Sequence, residues 1–121
     1  MMRGEEYLKK EKQFNLVYSK GRLMQGRLLS IRLMPNSLCI SRYGFIVGKR
    51  VGKAVVRNRV KRLLREISRQ IQLKPGWDIV FFTNPKSAAA GYNELKELTL
   101  SLLSKAQLLV ENYEKACLGT N

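Results

Sequence analysis

Residues 53–72 read KAVVRNRVKRLLREISRQIQ, and their spacing decides the architecture. Val56, Val60, Leu63, Leu64, Ile67 and Ile71 recur at intervals of three and four. At about 100° per residue they fall on one stripe roughly 100° wide. The spacing predicts a helix over 53–72 that buries this stripe, stopped by Lys74, Pro75 and Gly76. Arg57, Lys61, Arg65 and Arg69 follow one another at intervals of four on the other side, and Asn58 and Arg62 share their arc.

The cationic character extends upstream of the helix. Residues 49–69 hold Lys49, Arg50, Lys53, Arg57, Arg59, Lys61, Arg62, Arg65 and Arg69, with Glu66 the one acid. That segment is net +8 within a chain whose formal charge is +14. An ordinary solvated helix face alternates signs. Here the signs do not alternate, and the self-repulsion calls for a polyanion. Six of the nine bases are arginine, whose planar fork matches phosphate oxygens. Charge and placement together predict nucleic-acid binding.

The rest of the chain supplies a body for this helix. Phe14, Val17 and Tyr18 sit at helical spacing over 11–19, with Gly21 as the stop. Over 27–34 the period changes to two. Leu29, Ile31 and Leu33 face one way, Leu28, Ser30 and Arg32 the other. Pro35, Asn36 and Ser37 predict a turn. A second strand is predicted over 42–48, with Tyr43, Phe45 and Val47 on one face; 38–41 stays open as its extension. Residues 77–83, with IVFF at the centre, read as a short buried strand. A last helix is predicted over 93–113 on the stripe Leu95, Leu98, Leu102, Ala106, Leu109 and Tyr113. A length of 121 residues favours a single domain over 1–121, with an ordered core of about 7–115. Such a chain buries roughly two-thirds of its unfolded surface.

Several chemistries are excluded by composition. There is no histidine, which removes a Ser-His triad, a histidine base and the common zinc sites. The nine carboxylates, among them the lone aspartate Asp78, scatter over four predicted elements rather than clustering as two-metal ligands. Gly48 and Gly52 are each followed by lysine, but GxxxGK is not the P-loop spacing. Those glycines and Gly44 are read as places where a strand and turn approach RNA or another backbone closely. Cys39 and Cys117 make neither a metal pair nor a disulfide framework, so a reduced, cytoplasmic setting is expected. No apolar run reaches the roughly 18 residues of a membrane span. Glu5, Glu6 and Glu11, lying among lysines, leave no signal-peptide core.

The run KRVGKAVVRNRVKRLLRE, residues 49–66, resembles the hallmark of the protein subunit of bacterial ribonuclease P, with its central Arg57-Asn58-Arg59. Gly52, Lys61, Arg62 and Arg65 fit the same pattern. So do LKKEKQFNLVYSKG at 8–21, with aromatics Phe14 and Tyr18, and WDIVFFTNP at 77–85. The resemblance runs in order over about 7–110.

The resemblance implies an α+β fold, a single small domain of order αβββαβα. Its Arg-rich helix would lie in a left-handed β-α-β crossover, where the general rule is right-handed. It implies an RNA-binding component of an endoribonuclease. In that enzyme a catalytic RNA, using Mg²⁺, removes the 5′ leader of precursor tRNA. Lys49, Arg50, Lys53, Arg57, Asn58, Arg59, Lys61, Arg62 and Arg65 would hold RNA. Phe14, Tyr18 and Arg32 would line a leader cleft, floored by the outward face Leu28, Ser30 and Arg32, where bases stack on aromatics. The implied partners are the catalytic RNA and precursor tRNA, with no membrane and no DNA. Two positions depart from the family pattern. Arg32 stands where an aromatic is common, and Thr83 where a base is common. The competing reading is a non-enzymatic, ribosomal-type RNA scaffold. A DNA regulator fits less well, because strands rather than a short helix precede 53–72.

Overall fold

The computed structural model describes residues 7–71 and 73–108. Its order is α1 (Glu11–Lys20), β1 (Arg22–Gln25), β2 (Leu29–Pro35), β3 (Arg42–Val47), α2 (Ala54–Gln70), β4 (Trp77–Thr83) and α3 (Tyr92–Lys105). Short 3-10 turns at Lys49–Val51 and Pro85–Ala89 lead into α2 and α3. The four strands form one mixed sheet in the order β1-β2-β4-β3. β2 is antiparallel to both β1 and β4, whereas β3 runs parallel to β4. Parallel neighbours need a crossover, and α2 supplies it. The αβββαβα order and the α+β class are those expected.

Alternation in the strands gives the sheet two faces. On one, Leu29, Ile31, Leu33, Tyr43, Val47, Ile79 and Phe81 bury against Val60, Leu64 and Ile67 of α2 and Leu95, Leu102 and Leu103 of α3. On the other, Val80 joins Leu8 and Val17 in a smaller cluster, flanked by Phe14, Met34 and Phe82. The major core thus sits under the cationic helix, and α1 covers only part of the opposite face. In α2 the expected stripe is sorted by depth: Val60, Leu64 and Ile67 are fully buried, while Val56, Leu63 and Ile71 are half-buried. Gln13 caps α1 by accepting from the backbone N–H groups of Lys9 and Lys10 at 2.9 and 3.1 Å.

Some sequence expectations need correction. β1 follows Gly21 directly, and its four residues RLMQ are too few to show an alternation. β2 begins at Leu29, so Leu28 precedes the strand and is buried in the major core. It therefore gives no floor to an outward cleft. Residues 38–41 do not extend β3; 38–40 form bends, held where Asn36 Nδ2 donates to Ile40 O at 3.1 Å, and Ser41 has no regular structure. α3 stops at Lys105 rather than running on, because Gln107 takes a φ of 61°. Leu109 and Tyr113, expected on its stripe, lie outside the described residues, as do positions 109–115 of the expected core.

Candidate RNA interface

The approach to α2 sets the first group of charges. Lys49 and Arg50 stand exposed on the 3-10 turn, and Lys53 occupies the helix N-cap. Gly52 links them with a φ of +154°, which side-chain-bearing residues rarely adopt. Its carbonyl accepts from Arg57 Nε at 3.1 Å, so Arg57 braces the turn. Asn58, Arg62 and Arg65 are exposed and Lys61 is half-buried. Among the described residues, the side chains of Lys49, Arg50, Lys53, Lys61, Arg62 and Arg65 have no hydrogen-bond, ion-pair or cation–π partner. Their charge is available to an external anion.

Arg59 behaves differently from its neighbours. Its guanidinium forks onto two main-chain carbonyls, Nη1 donating to Ala88 O at 3.2 Å and Nη2 to Ala90 O at 2.9 Å. It clamps α2 to the turn before α3. Of the nine residues expected to hold RNA, this one points into the molecule. Arg69, on the same arc, is paired with Glu66 one turn earlier.

The second group lies on the opposite sheet face. The registers align Leu23, Arg32, Val80 and Gly44 in one row across the sheet, and Gln25, Ser30, Phe82 and Ile46 in the next. α1 lies over the first row. Phe14 fills the space above Gly44, where an added Cβ would come within 2.4 Å of the ring. Val17 packs with Val80, and Tyr18 reaches Arg32 and Phe82. The second row remains open beside α1. Gln25 and Ile46 are exposed, Ser30 and Phe82 half-buried. The result is a strip of uncovered sheet bordered by a helix.

Tyr18 forms the border of this strip and is 56% exposed. The Arg32 guanidinium carbon lies 4.4 Å from its ring centroid, and Arg32 Nη1 donates to the Tyr18 carbonyl at 3.1 Å. Phe82 approaches the ring at 5.7 Å with a 59° tilt. A guanidinium over an aromatic ring adds a second surface on which a base can stack. Tyr18 and Arg32 are therefore brought together as expected. Phe14 lies apart from them, half-buried in the smaller cluster. The glycine expected to admit RNA or a backbone, Gly44, instead admits the Phe14 ring. Thr83 spends its hydroxyl on Ile46 O at 3.4 Å.

Sequence reasoning missed Phe82 as a neighbour of Tyr18, and Ile46 and Gln25 as members of the same row of the sheet. Phe82 sits inside the apolar run IVFF, where nothing marks one ring as the less buried. Only the sheet register, which depends on non-adjacent strands, puts these residues in one row.

Among the described carboxylates, Asp78, Glu66 and Glu94 have structural partners. Asp78 is buried and paired with Arg42 by two bonds, Nε to Oδ1 at 2.8 Å and Nη2 to Oδ2 at 2.7 Å. Asn36 Nδ2 adds a third at 2.9 Å. The hydrogen bonds Arg42 donates to Asp78 outweigh burial and raise the Arg42 pKa above its ordinary value. Glu94 lies 3.6 Å from Arg27 and accepts from the Gly91 N–H at the start of α3. No three His, Cys, Asp or Glu side chains converge among the described residues. Among the same residues, no helix is long and apolar enough to cross a membrane.

Fold and surface thus define a small basic α+β domain, with a cationic crossover helix on one side of its sheet and an aromatic-edged strip on the other. Residues 2–107 match the family model for ribonuclease P. The ribonuclease P protein component of Dehalococcoides mccartyi is 42% identical over 120 residues, covering 99% of this chain and all of that one. That of Caldanaerobacter subterraneus is 44% identical over 106 residues, 86% of this chain and 91% of that one. Among solved structures, the RNase P protein from Thermotoga maritima superposes with a TM-score of 0.74 at 30% identity, over 83% of this chain and 96% of that one. The Staphylococcus aureus RNase P protein shares the fold, with a TM-score of 0.77 at 23% identity, over 87% of this chain and 98% of that one. The chain belongs to the ribonuclease P protein family and is a protein subunit of that endoribonuclease. The ribosomal-type scaffold reading is not favoured.

Proposed function

We propose that the chain acts in the cytoplasm as the non-catalytic partner of an RNA that removes the 5′ leader from precursor tRNA. The carrying observation is the division of the surface. Unpartnered cations gather on and before α2, while the stacking platform of Tyr18 and Arg32 edges the open strip across the sheet. The cationic face holds phosphates, chiefly of the catalytic RNA, through Lys49, Arg50, Lys53, Asn58, Lys61, Arg62 and Arg65. Arg57 and Arg59 shape that face from within. The strip takes the single-stranded leader, whose bases stack at Tyr18 and Arg32. Phe14 supports this border from the minor core. Mg²⁺ supplies Lewis-acid chemistry on the RNA, and the protein contributes binding and placement.

Reconstitution tests this reading. The protein, an RNA subunit and precursor tRNA are mixed in Mg²⁺, together and with each component omitted. Cleavage at the leader junction is expected to be enhanced by the protein in the complete mixture and absent with protein alone. Processing by nuclease-free, repurified protein without RNA, or no effect of the protein on the RNA's cleavage, would overturn it.

A further inference from the structure

We infer that the hollow at the outer edge of β3 is a separate nucleotide site, accepting one unstacked nucleobase together with its phosphate. The inference rests on the RNA-binding role proposed above and adds a position outside the strip beside Tyr18. The hollow measures about 310 Å³ and is lined by Tyr7, Phe14, Gly44, Phe45, Lys61 and Arg65, with Leu8 and Tyr43. That volume is at the lower end for small-ligand pockets, which run roughly 300–1,000 Å³. Its walls come from four places in the chain: the segment before α1, Phe14 of α1 itself, the edge strand, and the cationic arc of α2.

Each wall offers something a nucleotide needs. Tyr7 and Phe45 present rings 6.2 Å apart at a 55° tilt, and Phe14 closes the inner side above Gly44. These are apolar and aromatic surfaces for a base. Lys61 and Arg65 are one helical turn apart, and neither side chain has a partner among the described residues. They place two cations at the mouth, suited to a phosphate. The strand edge supplies the third element. Leu8 N–H donates to Tyr43 O at 2.7 Å from outside the sheet. In a parallel strand, the main-chain groups of Phe45, two residues on, turn to that same outer edge. A base edge seated there meets a donor and an acceptor. An apolar ligand would leave the cations unused, and an inorganic anion would leave the rings unused.

The full chain is titrated with adenosine 5′-monophosphate and, separately, with inorganic phosphate, with amide NMR as the readout. The mononucleotide is expected to shift Leu8, Gly44 and Phe45 together with Lys61 and Arg65, saturably. Phosphate should bind more weakly and leave Gly44 in place. Tyr7→Leu should weaken the mononucleotide at least about fivefold, the low end for a base–aromatic stack, and Tyr7→Trp should keep it. Equal affinity for phosphate, no loss in Tyr7→Leu, or shifts confined to Gln25, Ser30, Phe82 and Ile46 would overturn the site. In the reconstituted holoenzyme, Tyr7→Leu identifies the source. Weakened binding of precursor but not mature tRNA assigns the nucleotide to the leader, and weakened affinity for the RNA subunit assigns it to that RNA. No effect on either overturns the inference. Failure of the wild-type protein to assist the RNA would instead count against the proposed function, independently of the mononucleotide titration.

Discussion

Arg42 and Arg59 show how little a residue type reveals about the use of its charge. Both are part-buried, and both spend their guanidinium inside the fold. Arg42→Ala leaves Asp78 buried with only Asn36 to satisfy it. Breaking a buried pair from one side costs about 3–5 kcal/mol, and a urea melt of the variant should show a loss of that size. The pH dependence has a definite sign. Because the Arg42 pKa is raised on folding, its contribution is present at all lower pH and is lost only as pH climbs beyond the ordinary guanidinium range. The destabilisation by Arg42→Ala should therefore be the same at pH 6 and pH 9. Arg59→Lys keeps the charge but cannot fork onto Ala88 and Ala90. Its stability should fall by about 1–3 kcal/mol, as expected where buried carbonyls lose a donor. Urea melts that match wild type would return Arg59 to the RNA-facing set.

At the scale of the element, α2 carries two functions on two sides, and these respond to different measurements. Leu64→Ala and Ile67→Ala remove fully buried side chains and should each cost about 2–5 kcal/mol. Leu63→Ala should cost less, since that side chain is only half-buried. Lys53, Arg62 and Arg65 are exposed, so replacing them with Ala should leave the melt unchanged. It should instead flatten the salt dependence of RNA binding, by roughly 0.7–0.9 in log–log slope for each phosphate no longer neutralised. An unchanged slope and affinity would mean that this face points away from RNA. The helix was legible because its period and its charge are local properties of consecutive residues. Other features were not local. β1 has only four residues and is defined by its pairing with β2. The end of α3 depends on a backbone turn at Gln107, a glutamine with no breaker signal. Leu28 continues the polar-face alternation in sequence, yet β2 begins one residue later and Leu28 joins the core. In the site, the cationic face was readable, but Arg59's inward fork was not. Its acceptors lie about thirty residues downstream, on a turn that only the folded chain brings near.

On the scale of the whole molecule, the sheet separates two proposed RNA contacts, so variants on its two sides should fail in different ways. A side chain that holds the catalytic RNA affects every ligand of the holoenzyme. One that touches the leader affects only a substrate that has a leader. Tyr18 discriminates best, because it is more than half exposed and its removal leaves Val17 and Phe14 to hold α1 on the sheet. Tyr18→Ala also takes away the ring against which Arg32 lies. The variant should fold with near-wild-type stability, assemble with the RNA subunit normally, and bind mature tRNA as before. Its affinity for precursor tRNA should drop by about 1–3 kcal/mol for each base that no longer stacks, measured as equilibrium binding to the reconstituted holoenzyme. Tyr18→Phe keeps the ring face and should restore most of that affinity, which distinguishes stacking from a hydroxyl hydrogen bond. Parallel losses for precursor and mature tRNA would place Tyr18 against the RNA subunit or the tRNA body. With no loss for either, the strip of Gln25, Ser30, Phe82 and Ile46 would no longer be the leader's path.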